Sequence, residues 1–436
     1  MRRRAMKYMR IRGNGRHGRR FAILCLALIV TLPTWPATAV SPRPAPAGHD
    51  HAAALAVAPS AGERALRLQA LLGQHSVLAA EFMRGRIRGD ENFAQSANAA
   101  LGRNTDAMAQ LLGELLGAAT AKRFAELWQE HVVELFTYAG GLADQDDAVL
   151  AEAREELIEY EEDLAGFFVG ASHGRLTTRA AGGAMRMHVD HLLDQADAYA
   201  ARDYPASNRL YRESYRHTYE LGGVLAAALL SAKDAGALRA PIWRLRSQLG
   251  KLLAEHVVLV EDVTRAAVTG SPDFTAAGQM LNGNTRDLAT AMDSLFGAAA
   301  AREFQSLWAH HVDQVVAYAA ATAARDSARR EQARASLHAL EGRLAAFLEG
   351  ATGKRLRSTS LTDALLAHDQ MLLRHAEAFA AKEYGTAHEM AFETYDHMYE
   401  LARLLSAAFG ATVAARLPVG GVATGDGGMA GVVARR

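Results

Sequence analysis

Cysteine is almost absent: the 436 residues contain one, Cys25, in a short apolar run near the N-terminus. Everything after it must do without disulfides, thiolate metal sites, cysteine nucleophiles and c-type haem attachment. Strand signals are also scarce, with few alternating β-branched runs, which excludes a sheet as the organising element. No basic excess survives inspection. Nine of the 48 basic residues and none of the 48 acidic ones lie in residues 1–39, so the remainder carries 39 basic against 48 acidic, a net −9. A nucleic-acid partner needs a basic face, and none is expected. Catalytic signatures are missing as well: no zincin His-Glu-x-x-His occurs, no nucleophile elbow is expected, and an enzyme reading rests on nothing positive.

What is present begins with an export-type segment. Residues 1–39 run from an Arg-rich stretch ending at Arg19-Arg20, through the apolar run Phe21 to Leu32, to the small-x-small pattern Ala37-Thr38-Ala39. This reads as a signal peptide. A run of about twelve apolar residues is too short to span a bilayer, so no membrane span is expected once the signal is removed. The expected location is periplasmic or extracellular. Residues 40–61, rich in Ala, Pro and His, read as a flexible linker in which His49-Asp50-His51 is a solvated stretch.

From Glu63 onward apolar residues recur at three- and four-residue spacing, the mark of amphipathic helices. The first stretch reads as six helices, with breaks where turn chemistry predicts them at Gly89-Asp90, Gly117, Asp144-Gln145 and Ser172-His173-Gly174. Their expected spans are 62–88, 91–116, 119–143, 146–170, 178–202 and 205–232. The set then returns 180 residues on. Phe124, Leu127, Trp128, His131, Tyr138 and Ala139 match Phe304, Leu307, Trp308, His311, Tyr318 and Ala319. Tyr215, His217, Tyr219, Glu220 and Leu221 match Tyr395, His397, Tyr399, Glu400 and Leu401. The expected fold is therefore all-α, a tandem duplication of a six-helix bundle, with bundle 1 at 62–235, bundle 2 at 241–412 and a Gly-rich disordered tail at 413–436.

A finer period runs inside each half. His75, His131 and His188 are 56 and 57 residues apart, and His256, His311 and His368 are 55 and 57 apart. Each stands in the first helix of a hairpin, and an acid often marks the turn after it: Asp90, Asp146, Asp203, Asp326 and Glu383. The unit is a helical hairpin of about 56 residues, which can bury its apolar stripe only against neighbours.

Chemistry is expected where imidazoles and carboxylates share a face. At 100° per residue, His217 and Glu220 fall about 40° and −20° from Glu213 around their helix, and Glu393, His397 and Glu400 repeat the arrangement. With His131 and His188 from neighbouring helices, and His311 and His368 in the second half, these form a candidate site for a divalent transition metal or a small ligand in each bundle. The competing reading makes the histidines half-buried core residues satisfied by tyrosines and acids. Trp128 and Trp308 read as core aromatics, Asn104-Thr105 and Asn284-Thr285 as caps of restarted helices, and the acidic run from Glu155 to Asp163 as a solvated face.

The pattern of Leu-Trp-x-x-His-Val, a hairpin, then Ala198-Tyr-Ala-Ala-Arg-Asp-Tyr204 leading to Tyr-x-His-x-Tyr-Glu-Leu resembles a group of exported bacterial helical-repeat proteins. The resemblance covers nearly all of 62–412. It implies a helical fold and export, and it transfers no activity and no site residue. Some of these proteins carry an added N-terminal domain of copper-amine-oxidase type, so copper in their names is no indication of copper here. The expected function is a non-catalytic exported protein that binds a divalent metal or small ligand inside each bundle. The alternatives are an envelope scaffold with structural histidines and a haem or di-metal oxidoreductase.

Overall fold

The computed structural model describes residues 59–416. The signal segment, nearly all of the 40–61 linker and residues 417–436 of the tail lie outside the described residues. Within them the chain is all-α, with thirteen helices and no strand. In order these are α1 (Ala61–Arg88), α2 (Glu91–Leu116), α3 (Ala118–Asp144), α4 (Asp147–Ala171), α5 (Thr178–Ala200) and α6 (Tyr204–Leu229). The short α7 (Ala232–Ala237) follows, then α8 (Pro241–Thr269), α9 (Phe274–Phe296), α10 (Ala298–Ala323), α11 (Ser327–Ala351), α12 (Ser358–Ala380) and α13 (Tyr384–Arg416). No described helix is long and apolar enough to cross a membrane.

The turn acids work as caps. Asp90, Asp146, Asp203 and Asp326 each accept a backbone N–H from the first turn of the helix they precede. Such a bond satisfies an otherwise orphaned donor and adds about 1 kcal/mol. Asp273 makes no such bond; its Oδ2 pairs with Arg265 instead. Gly89, at φ 72°, occupies the left-handed position that closes α1.

Three expectations need correction. The sixth helix stops at Leu229 rather than 232, because Ser231 caps a separate helix, α7. The last helix runs to Arg416, past the expected start of the tail at 413. Asn104-Thr105 and Asn284-Thr285 interrupt nothing. Asn104 lies inside α2 and donates across to Leu71 O and Gln74 Oε1 at 3.0 and 3.1 Å. Asn284 likewise donates to Leu252 O and Glu255 Oε2, both at 2.9 Å. A buried asparagine here ties two helices side by side instead of starting one.

The first helices of the hairpins lie inside. α1, α3 and α5 pack on one another, while α2, α4 and α6 cover the gaps between them. α8, α10 and α12 form a second inner triad, covered by α9, α11 and α13. The two sets meet along α1, α2, α6, α8, α9 and α13, and the described residues fall in one compact unit. Polar pairs cross this seam. Tyr215 Oη and Tyr219 Oη donate to Lys251 O and Ser247 O at 3.1 and 3.0 Å, and Tyr395 Oη to Ala70 O at 2.9 Å. Arg212 and Arg216 on α6 both grip the buried Glu255 of α8. Within the first set, close approach of α6 to α1 is allowed by Gly222, where a Cβ would sit 2.5 Å from Gln69 Cα.

Candidate metal centres

The inner triads carry the hairpin histidines. His75 (α1), His131 (α3) and His188 (α5) are at most 1% exposed and meet at one level of the core. His256 (α8), His311 (α10) and His368 (α12) do the same, at no more than 2% exposure. In each cluster one ligand nitrogen per ring lies within 4.8 Å of the others. Imidazole nitrogens bound to one transition ion sit about 2.0–2.1 Å from it, so the rings would close in slightly to bind one. The reason lies in the spacing of these histidines along the chain. A histidine at the same turn of each first helix, in helices that share one axis, ends on the same level.

The N-terminal cluster is bonded to itself. Trp128, one turn before His131, lies against His75 with ring centroids 4.6 Å apart and donates its Nε1–H to His75 Nδ1 at 3.3 Å. The indole nitrogen can only donate, so His75 Nδ1 accepts and the proton of the neutral ring sits on Nε2. That Nε2 lies 3.1 Å from His131 Nε2, which must then accept. Tyr160 stacks on His131 at 4.6 Å. Neither nitrogen of His188, nor Nδ1 of His131, has a hydrogen-bond partner. Burial holds His75 and His188 well below the ordinary imidazole pKa, with neighbouring rings adding to it, and lowers His131 to about 3. The cluster is neutral.

The C-terminal cluster is arranged differently. Trp308 packs 4.8 Å from His256, but its Nε1 has no partner, and both nitrogens of His256 and of His368 are also unpartnered. Two buried carboxylates approach the third ring: Glu341 Oε1 at 3.2 Å and Asp369 Oδ1 at 3.3 Å from His311 Nδ1. His311 Nε2, on the other side of the ring, is buried without a partner. Burial opposes charge on His311, yet Asp369 and Glu341 outweigh it and hold its pKa above the ordinary value. Burial pushes Asp369 up to about 8, with Glu341 adding to the rise and His311 opposing it.

The structure brings together His131 with His188, and His311 with His368. The other candidates stand apart. Glu213 is exposed and paired with Arg209, Glu220 with Lys251, and Glu400 with Arg403. Glu393 is exposed too. His217 Nε2 donates to Ala184 O at 3.1 Å and His397 Nε2 to Ala364 O at 3.0 Å, ties from α6 to α5 and from α13 to α12. His397 does stack near His368, with centroids 6.4 Å apart. The shared face of Glu213, His217 and Glu220 lies beside the buried stripe of Tyr211, Ser214, Tyr215 and Thr218, not on it.

His75 and His256 were absent from the expected set, although the 56-residue spacing pointed at them. Asp369 had no such signal, since Val189 and not an acid precedes it by 180 residues, whereas Glu341 is matched by Glu161. Within the acidic run, Glu161 is buried rather than solvated and faces Arg186 at 3.7 Å. Gly170-Ala171-Ser172-His173-Gly174 has the spacing of a nucleophile elbow, contrary to expectation, but it closes helix α4 and follows no strand. Its Ser172 Oγ donates to Val169 O and accepts Leu176 N–H, so it fastens a turn. No family model matches the chain, and no curated protein or solved structure matches it either.

Proposed function

We propose that the protein is an exported, non-catalytic metal-binding protein that holds a divalent transition ion inside its helical body through buried histidine clusters. One observation carries this reading. Three imidazoles from three separate helices converge in each cluster, and three of six ring nitrogens in the first and five of six in the second have no hydrogen-bond partner. Buried polar groups are nearly always satisfied, because an orphan costs about 1–3 kcal/mol. A set of orphans aimed at a common point is what a ligand would satisfy. The 180-residue identities support a tandem duplication of one six-helix segment, and the Arg-rich, apolar N-terminus supports export to the periplasm or medium.

A scaffold with structural histidines is favoured by one detail, the hydrogen-bonded chain from Trp128 through His75 to His131. Metal analysis separates the two readings. The full chain, refolded or purified with zinc and then gel-filtered, retains stoichiometric metal on the metal-binding reading, and the paired substitution His131→Ala with His311→Ala removes it. Retention of no metal by the folded wild type would favour the scaffold. Changing Glu213, Glu220, Glu393 and Glu400 to Gln is expected to leave uptake unchanged.

A further inference from the structure

We infer that the two clusters are not equivalent: the one on α8, α10 and α12 is the divalent-ion site, and Glu341 and Asp369 make it so as positioning residues. The inference rests on the metal-binding reading above and says which site is used and why. The donor geometry is common to both clusters, so the difference must come from protons and charge.

Neutral imidazole binds a metal through the nitrogen that lacks the proton, and the other N–H needs a fixed acceptor. In the C-terminal cluster that acceptor exists. Glu341 and Asp369 both stand on the Nδ1 side of His311, so the neutral ring carries its proton on Nδ1 and a lone pair on the buried Nε2. His256 and His368 have all their nitrogens free. In the N-terminal cluster two of the facing nitrogens, His75 Nε2 and His131 Nε2, are already used on each other. Trp128 fixes His75 with its proton on Nε2, and that proton points at His131. An ion there must displace a hydrogen bond and leave His75 Nδ1 facing another donor.

Charge points the same way. A divalent ion among three neutral rings is a buried double charge, and such a charge is expensive in a low-dielectric interior unless it is compensated. In the C-terminal cluster two acids, Glu341 and Asp369, stand beside His311, next to where that charge would lie. At the corresponding positions of the N-terminal cluster, Val189 carries no charge and Glu161 is engaged by Arg186. The ion class that fits mixed nitrogen donors backed by carboxylates is a borderline divalent first-row ion, such as Zn(II), Co(II) or Fe(II).

The test is calorimetric titration of the metal-free full chain with Zn(II), and with Co(II) followed by its visible spectrum. The first equivalent is expected to bind about 100-fold or more tighter than any second. Glu341→Gln with Asp369→Asn should weaken that first equivalent at least tenfold, whereas His75→Ala should leave it unchanged. Should the double carboxylate variant lose its helicity, His368→Gln against His188→Gln draws the same distinction, with only the former losing the tight equivalent. Two equally tight equivalents, or a tight equivalent that disappears with His75 and survives the carboxylate changes, would overturn the inference while leaving the metal-binding reading intact. Absence of any binding would overturn both.

Discussion

The two histidine clusters differ less in where their rings lie than in what stands one turn away. His75, His131 and His188 are set by the same inner helices of their hairpins as His256, His311 and His368. Around the first set the neighbours are neutral: a tryptophan that donates, a tyrosine that stacks, and Gln74 on the back of α1 bonded to Asn104. Around the second, Asp369 and Glu341 flank His311, and Glu255 takes the place of the glutamine, bonded to Asn284 and to two arginines. Helix packing fixes the position of a ring. Its proton and its use are decided by single residues nearby that packing leaves free to vary.

That contrast can be broken at several points. The largest effect is expected from Glu255→Gln, which makes the C-terminal position resemble Gln74. Glu255 is held below the usual carboxylate range because Arg216 and Arg212 overcome the effect of its burial. Neutralising it leaves two half-buried guanidiniums with Asp287 as their one remaining acid, a loss of about 3 kcal/mol in chemical denaturation. Its neutral counterpart Gln74→Leu should lose only about 1–2 kcal/mol, because it removes one buried hydrogen bond. Equal losses would show that the seam charges contribute nothing.

Val189→Asp places in the N-terminal cluster the acid that the C-terminal one has. Zinc affinity at that cluster is expected to rise about tenfold, equal to about 1.4 kcal/mol, as read by titration in a His368→Gln background. No change would mean that the acid is not what distinguishes the sites. A similar but pH-dependent gain is expected at Glu261, a buried acid on α8 whose carboxyl burial and Glu81 push well above 4.5. The folded state keeps that proton where the unfolded state loses it, so stability falls as pH rises past about 4.5. Glu261→Gln should therefore stabilise by about 1 kcal/mol at pH 8 and by almost nothing at pH 4, measured by urea denaturation at both values. A gain of the same size at both would contradict the assignment. The smallest effect separates the two tryptophans. Trp128→Phe removes the donor that fixes His75 and should improve N-terminal zinc binding about threefold, about 0.7 kcal/mol, while Trp308→Phe, with no partner to lose, should change nothing.

Much of this was legible in the sequence. Spacing of apolar residues and the acids at turns located the helices to within a few residues, because capping is local chemistry that a short window contains. The histidine period, read from His75 to His368, already implied one imidazole per inner helix. Two things were not legible. Glu213, His217 and Glu220 do share a face, but angular coincidence does not say which face turns inward, and their carboxylates are solvated. Asn104 and Asn284 look like caps in a window of a few residues and are in truth lateral ties, a role visible only when the neighbouring helix is in place. The carboxylates beside His311 come from α11 and α12, brought to it by tertiary packing that no single-helix pattern encodes.

Anomalous diffraction at the zinc edge, from crystals of the full chain grown with a modest excess of zinc, addresses the central claim most directly. A single strong peak bonded to nitrogens of His256, His311 and His368 is predicted, with His311 Nδ1 still donating to Glu341. Crystals that show zinc only on surface residues, and none among the three buried rings, would contradict it.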